Sequence, residues 1–270
     1  MKLSISNIAW PSEEEDFYLR LIKGLGCSGV EIAPGKVWQM PLESSREERA
    51  SYASFVRGHG LEMPAMQALL YGHPELGLFG EADRVNKTIE YLKGICNLAG
   101  DLGIRVLVFG SPANRRRGPI LMDEAFERAA AFFSKIAPFA EENGTCICIE
   151  PLRPQETDFI TTSEGGLKLV EMVDNPGFGL HLDAKALVLE KGDHSENIRK
   201  ALHRMKHFHI NDPELKEVNS SGEVDHFRLG KDLKAAGYDG YVSIEMRTMP
   251  DYQNCVKRSL DAAKRAYINI

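Results

Sequence analysis

Apolar and polar positions along this chain follow two periods that take turns from one end to the other. Short apolar runs rich in β-branched residues read as strands, and segments with apolar residues every three or four positions, often ending in glycine, read as amphipathic helices. Strands are predicted over LSISNIAW, GVEIAP, LEMPAMQALL, IRVLVFGSP, TCICIEP, FGLHLD, MKHFHIND and GYVSIEM. IRVLVFGSP is the clearest, a continuous apolar run of the kind buried on both faces of a parallel sheet. Helices are predicted over EEEDFYLRLIKGLG, REERASYASFVRGHG, ADRVNKTIEYLKGICNLAGDLG, DEAFERAAAFFSKIAPFAEENG, SEGGLKLVEMVD (with a serine cap), HSENIRKALHR, FRLGKDLKAAGY and DYQNCVKRSLDAAKRAYI. Strand and helix alternate with no linker or low-complexity tract, so residues 1–270 are expected to form one domain. Such alternation implies a parallel sheet covered by helices. Eight units favour an α/β fold closed into a (β/α)₈ TIM barrel over an open doubly wound sheet. No glycine-rich dinucleotide loop follows the first strand, which agrees.

The chain has 270 residues, 43% of them hydrophobic, enough for one large core. A barrel of this kind uses about 250 residues as a single domain. A net charge of −6 is not the electrostatic footprint of a nucleic-acid binder; the run Arg115-Arg116-Arg117 is a local exception. Five cysteines, none in CxxC spacing, read as free thiols in a reducing compartment, with Cys146 and Cys148 filling core positions. MKLSISNIAW lacks the apolar stretch of a signal peptide, and no segment approaches the roughly 18 apolar residues of a membrane span. The expectation is a cytoplasmic protein without membrane or nucleic-acid partners.

The chemistry gathers in the second half. Glu150 ends the fifth strand, Asp183 the sixth and Glu245 the eighth, while His209 lies in the seventh. Each alone has an ordinary reading: a strand-end Glu paired with an Arg, a helix N-cap, a hydrogen-bonded core histidine, a barrel-closing ion pair. On four consecutive parallel strands all four reach the carboxyl-terminal face, where such barrels keep their active sites. Together they point to a shared metal site. Two Glu, one Asp and one His suit Mn²⁺, with Co²⁺, Mg²⁺ or Zn²⁺ as options; the lack of a thiolate argues against structural zinc. A metal so held can chelate neighbouring oxygens of a hydroxy-carbonyl compound and stabilise the enediolate left when the adjacent carbon loses its proton. A ligating Glu with a free oxygen can take that proton and a second Glu on the other face return one, giving epimerisation, or aldose–ketose isomerisation if the proton returns to the next carbon.

The segments IEPLRPQET, LHLDAKA, HFHIND and GYDGYVSIEM carry a family likeness. The chain resembles the xylose isomerase-like barrel superfamily of sugar phosphate isomerases and epimerases, and is similar in particular to ketose 3-epimerases of the tagatose/psicose type. The resemblance implies that Glu150, Asp183, His209 and Glu245 are the four metal ligands. It implies Glu150 and Glu245 as the proton-transferring pair, Glu156 as a substrate contact, and a small sugar or sugar phosphate as substrate. Dimers or tetramers are common in that family, so the resemblance admits a homo-oligomer. Two positions depart from it. Ala186 stands where the family's epimerases place a substrate-binding His, and Leu215 where they place an Arg.

Other residues near the mouth are candidates for the substrate. Glu31 and Gln67 offer hydrogen bonds, as does His73. Trp10 or Trp38 offers a face for a sugar ring, or fills core or lid. Arg115, nearest its strand end, is the arginine expected to turn inward. Lys185 is expected at a helix start, pointing to solvent. The rival chemistries are a sugar or inosose dehydratase on the same metal site and an abasic-site endonuclease-like metallohydrolase with several zinc ions. A non-catalytic sugar-binding protein would not need two opposed carboxylates.

Overall fold

A computed structural model of the chain describes residues 1–190 and 192–270. Eight strands form the centre: β1 (Lys2–Ser6), β2 (Gly29–Glu31), β3 (Ala65–Met66), β4 (Val106–Phe109), β5 (Cys146–Ile149), β6 (Phe178–Asp183), β7 (Met205–Ile210) and β8 (Tyr241–Ile244). All pairings are parallel, in the order β2-β1-β8-β7-β6-β5-β4-β3. Parallel bridges between Gly29 and Glu62 and between Ile32 and Met66 bring the two ends together into a nearly closed barrel. Around it lie α1 (Glu15–Gly24), α2 (Pro34–Val37), α3 (Arg46–Gly58), α4 (Ala82–Leu102), α5 (Met122–Phe133), α6 (Ala137–Glu142), α7 (Ser163–Val173), α8 (Ala184–Leu187), α9 (His194–Ala201), α10 (His226–Ala236) and α11 (Tyr252–Ala263). The chain is a single-domain TIM barrel, and among the described residues no helix is long and apolar enough to cross a membrane.

The differences from the sequence expectations have local causes. The first strand stops at Ser6, whose hydroxyl accepts from Ile8 N–H and turns Asn7–Ala9 into a 3₁₀ turn. Trp10 therefore lies beyond the strand end. In LEMPAMQALL only Ala65 and Met66 pair with β4; Pro64 just before them has no N–H to give. The long fourth helix is two, α5 and α6, because Pro138 cannot donate to the carbonyl of Ser134. Helix α7 is capped by Thr162, whose side chain accepts from Gly165 N–H, rather than by Ser163. The short helix α2, four residues, lies in a loop where none was expected, and α8, also four residues, starts after Asp183, where a helix start is expected for Lys185.

Alternation along the strands divides the barrel interior. Side chains two apart share a face. On β3, β4 and β5 the inner set is Ala65, Val106, Val108, Cys146 and Cys148, a small apolar cluster separate from the main core between sheet and helices. All five cysteines are buried free thiols. On β1, β2, β6, β7 and β8 the inner set is polar: Ser4, Ser6, Glu31, His181, Asp183, His207, His209 and Ser243, all buried. The interior is therefore apolar on one side of the barrel and hydrogen-bonding on the other; Asp183 and Glu245 rise from the hydrogen-bonding side, and Glu150 stands at the end of β5 on the apolar side.

One loop at the mouth is tied down by a single carboxylate. Asp212, just past β7, accepts from His226 Nε2 at 2.8 Å, from Asn219 N–H and from the N–H and hydroxyl of Ser221. Glu214, Leu215 and Asn219 in that loop hold left-handed backbone, which non-glycine residues adopt only when their surroundings enforce it. Burial by itself would raise the Asp212 carboxyl, but its hydrogen bonds from His226 and Ser221 outweigh burial and pull it from 3.8 to about 2. A depressed carboxyl stabilises the fold above its unfolded value and loses that contribution as pH falls through the folded one. Asp212→Asn is therefore expected to cost about 2 kcal/mol at neutral pH. Urea melts should show this deficit shrink between pH 4 and pH 2; a deficit independent of pH in that window would mean that the charge is not what pins the loop.

Candidate metal centre

The strand register brings the four strand-end residues to one place. Asp183 pairs with His209 across β6 and β7, and His209 with Ser243 across β7 and β8. Glu150 follows β5 directly, its N–H bonded to Phe109 O, and Glu245 follows β8, its N–H bonded to Ile210 O. Glu150, Asp183, His209 and Glu245 each offer one ligand atom, all within 4.8 Å of one another. His209 Nδ1 is 3.5 Å from Glu245 Oε2 and 3.9 Å from Glu150 Oε1. The two glutamates flank the Asp183–His209 pair, since β5 and β8 lie on either side of β6 and β7.

The donor set fits a divalent cation. Glu150 Oε1 and His209 Nδ1 are buried and have no hydrogen-bond partner among the described residues. Buried polar atoms normally find one, and an ion would satisfy both at once. Burial raises the Glu150 carboxyl and the charges of Glu245 and Asp183 raise it further, against the pull of His209 and Lys185. Three crowded carboxylates in a buried site call for positive charge. Asn211, which the sequence reading passed over, braces two of them: its Nδ2 donates to Asp183 Oδ2 at 2.6 Å and to Glu245 Oε2 at 3.1 Å.

Beneath the cluster lies a layer of imidazoles. Glu31 is fully buried; its two oxygens lie 2.9 and 3.0 Å from His209 Nε2, and Oε2 also accepts from Ser243 at 2.5 Å. A carboxylate so placed fixes which imidazole nitrogen carries the proton and leaves Nδ1 facing the cluster. Burial would raise the Glu31 carboxyl, but His209 and His207 overcome it and hold it well below the usual range. His209 shows the reverse: burial lowers it, yet Glu31 and Glu245 lift it well above its ordinary value. His207 Nε2 is 3.5 Å from Glu31, and His181 Nε2 is 3.7 Å from Glu150. Burial lowers the proton affinity of both of these imidazoles. His181 went unremarked in the sequence, although it sits two residues before Asp183, as His207 sits two before His209.

The mouth candidates are placed as follows. Gln67 is buried and donates to Ser6 Oγ at 2.6 Å. Glu156 is half-buried in the loop after β5 and accepts from Arg153 N–H and Nε. Of the three arginines Arg115 is the buried one, 0% exposed, with its guanidinium against the carbonyls of Phe109 and Ile160. Arg116 donates to Glu156 O, and Arg117 braces Asp158. Trp10 is buried and stacked on Tyr18, ring centroids 5.0 Å apart, and Trp38 packs edge-on against Tyr52. His73 is held between Glu75 and Tyr91. Glu31 is buried at 0% exposure, its oxygens turned to His209 and Ser243. Lys185 does not point to solvent: its stem is buried on α8, and its Nζ lies 3.1 Å from Asp183 Oδ2 and 3.7 Å from Glu245 Oε2. Burial opposes its charge, but the surrounding carboxylates raise its affinity for the proton above the ordinary lysine value.

Gly110, next to the end of β4, is the residue that gives Glu150 room. A Cβ on Gly110 would overlap Glu150 Oε2. Gly110→Ala is expected to push this carboxylate off its position and weaken Mn²⁺ binding about 10-fold, as read by titration calorimetry. Unchanged affinity would show that Glu150 has freedom to move aside.

A ring of eight parallel strands with carboxylates and an imidazole gathered at its carboxyl-terminal mouth defines a (β/α)₈ barrel with a candidate metal centre. The chain belongs to the xylose isomerase-like TIM barrel family, whose model matches residues 19–266. It is 24% identical over 222 residues to the L-ribulose 3-epimerase of Methylomonas sp. (strain DH-1), covering 82% of this chain and 74% of that protein. It is 21% identical over 230 residues to the fructoselysine 3-epimerase of Escherichia coli O157:H7, covering 83% and 82%. Its fold is similar to that of the D-psicose 3-epimerase from Clostridium cellulolyticum H10, solved with D-tagatose, at a TM-score of 0.83 and 18% identity over 98% of this chain and 99% of that one.

Proposed function

We propose that the protein is a divalent-metal-dependent epimerase or isomerase of small sugars or sugar phosphates. The observation that carries this reading is the placement of Glu150 and Glu245 on the two flanks of Asp183 and His209, with all four donor atoms within 4.8 Å. Two carboxylates so disposed are what proton removal from one side of a carbon and return to the other require. Glu150, Asp183, His209 and Glu245 would hold the ion, Mn²⁺ suiting this donor set. When bound, it supplies Lewis-acid stabilisation of negative charge on neighbouring substrate oxygens.

The chain's own groups do the rest. Glu150 takes the proton from the carbon beside the carbonyl, and Glu245 delivers one to the opposite face; for the reverse substrate the two exchange roles. Asn211 holds the Asp183 and Glu245 carboxylates in orientation, and Glu31 holds His209. Glu156 and Gln67 are assigned to substrate hydroxyls, with Arg115 and Trp10 as buried backing for the wall. Ala186 and Leu215 leave the substrate without the His and Arg contacts that the family resemblance implies, so a ketose is held differently here. The family and the epimerase relatives support the reaction class.

The test is solvent-deuterium incorporation followed by NMR, with Mn²⁺ present, across ketoses, aldoses and their phosphates. Label entering one carbon of one compound, with the epimer or isomer formed, is the expected result. Product formed with loss of water would assign the chain to the dehydratase chemistry instead. No exchange with any of the panel would remove carbon-acid chemistry as the function.

A further inference from the structure

The site already contains a cation that the proton-transfer reading does not use. Lys185 Nζ lies against Asp183 Oδ2 and Glu245 Oε2, two of the four residues assigned to the ion. Its position is fixed by the backbone: Asp183 caps the short helix on which Lys185 stands, Asp183 Oδ1 accepting from Ala186 N–H at 3.0 Å. Lys185 is the second residue of that helix and is 3% exposed. With its stem enclosed, the ammonium sits against the carboxylate cluster. A divalent ion entering the cluster meets a like charge next to two of its ligands, in surroundings where water screens little.

We propose that Lys185 is a built-in competitor of the divalent ion: its ammonium holds the three carboxylates together when no metal is bound, and weakens metal binding by sharing Asp183 and Glu245 with it. The inference rests on the reading of the cluster as a metal site. It follows from charge and distance. Glu150, Asp183 and Glu245 bring three negative charges to one buried place. Without a cation their mutual repulsion would spread the mouth open, and Lys185 supplies one from within the chain. The same ammonium opposes the ion by direct repulsion and by occupying the lone pair of Asp183 Oδ2 that faces it, while its charge lies 3.7 Å from Glu245 Oε2. Metal occupancy then depends on the free ion concentration instead of being effectively permanent.

Lys185→Met, which keeps the stem and removes the charge, and Lys185→Gln, which also keeps a donor, separate these effects. Mn²⁺ affinity of the full chain is measured by titration calorimetry, and thermal unfolding with EDTA and with Mn²⁺. Both variants are expected to bind Mn²⁺ at least about 10-fold more tightly than the native chain. They should unfold at lower temperature in EDTA and gain more from Mn²⁺ than the native chain does. A variant that folds only when Mn²⁺ is supplied supports the proposal equally. Native-like affinity in both variants, within threefold, overturns the competition while leaving the metal site standing. Failure of the native chain and of both variants to bind Mn²⁺, Co²⁺, Mg²⁺ or Zn²⁺ at millimolar concentration overturns both.

Discussion

Glu245→Gln is expected to lower turnover and solvent-deuterium exchange by about 10³-fold or more while the barrel stays folded. The substitution keeps the shape of the side chain. It leaves intact the backbone bond from residue 245 to Ile210 O, and the amide oxygen can still accept from Asn211. What is lost is the ability to carry a proton at neutral pH. A charged ligand oxygen is replaced by a neutral one, so Mn²⁺ affinity should fall as well, which makes exchange at saturating Mn²⁺ the decisive measurement. Burial would raise the Glu245 carboxyl, but the charges of His209 and Lys185 outweigh it and lower it; an amide cannot answer those charges. Exchange retained at saturating Mn²⁺ in a folded Glu245→Gln protein would take Glu245 out of the proton path and leave Glu150 to act alone.

The parts of this molecule that are legible in the sequence are those that depend on periodicity along one strand or helix. FGLHLD gives β6 to the residue, and ADRVNKTIEYLKGICNLAGDL gives α4 with its Gly103 stop. Four candidate ligands near the ends of consecutive strands are likewise visible as a pattern, since a parallel barrel turns every strand's carboxyl end the same way. What is not legible depends on pairing between strands or on a helix that propensity does not announce. His181 faces His207 because β6 and β7 pair in that register, across an irregularity at Leu180 and His181. Neither segment alone reveals the partner. The parity of His181 with Asp183 was available and would have placed it inside the barrel. Lys185 reads as a solvated helix-start lysine until α8 is seen to be one short turn capped by Asp183 and folded into the mouth. Gly110 reads as an ordinary glycine after a strand; its reason, the Glu150 carboxylate from the neighbouring strand, is a contact between β4 and β5.

Glu31 decides whether the layer beneath the cluster works through the metal. Its carboxylate accepts from His209 Nε2 and from Ser243, 0% exposed. Removing it in Glu31→Ala leaves the buried His209 Nε2 and the Ser243 hydroxyl without their acceptor, a change expected to cost about 1–3 kcal/mol of stability per group. It also frees the His209 proton to sit on either nitrogen, and with Nδ1 protonated the imidazole cannot ligate. Mn²⁺ affinity should therefore fall about 10–100-fold. Glu31→Gln separates the two effects. Its amide oxygen can still accept from His209 Nε2, so stability should recover in part, while the missing negative charge leaves the imidazole a poorer ligand. Chemical denaturation measures the first effect and calorimetric Mn²⁺ titration the second. If Glu31→Gln binds Mn²⁺ as tightly as the native chain and only KM for the sugar rises, Glu31 acts on substrate hydroxyls, as its strand-end position alone implies. If affinity falls while KM at saturating Mn²⁺ holds, the carboxylate acts through His209, and the metal centre extends one layer deeper into the barrel than its four ligands.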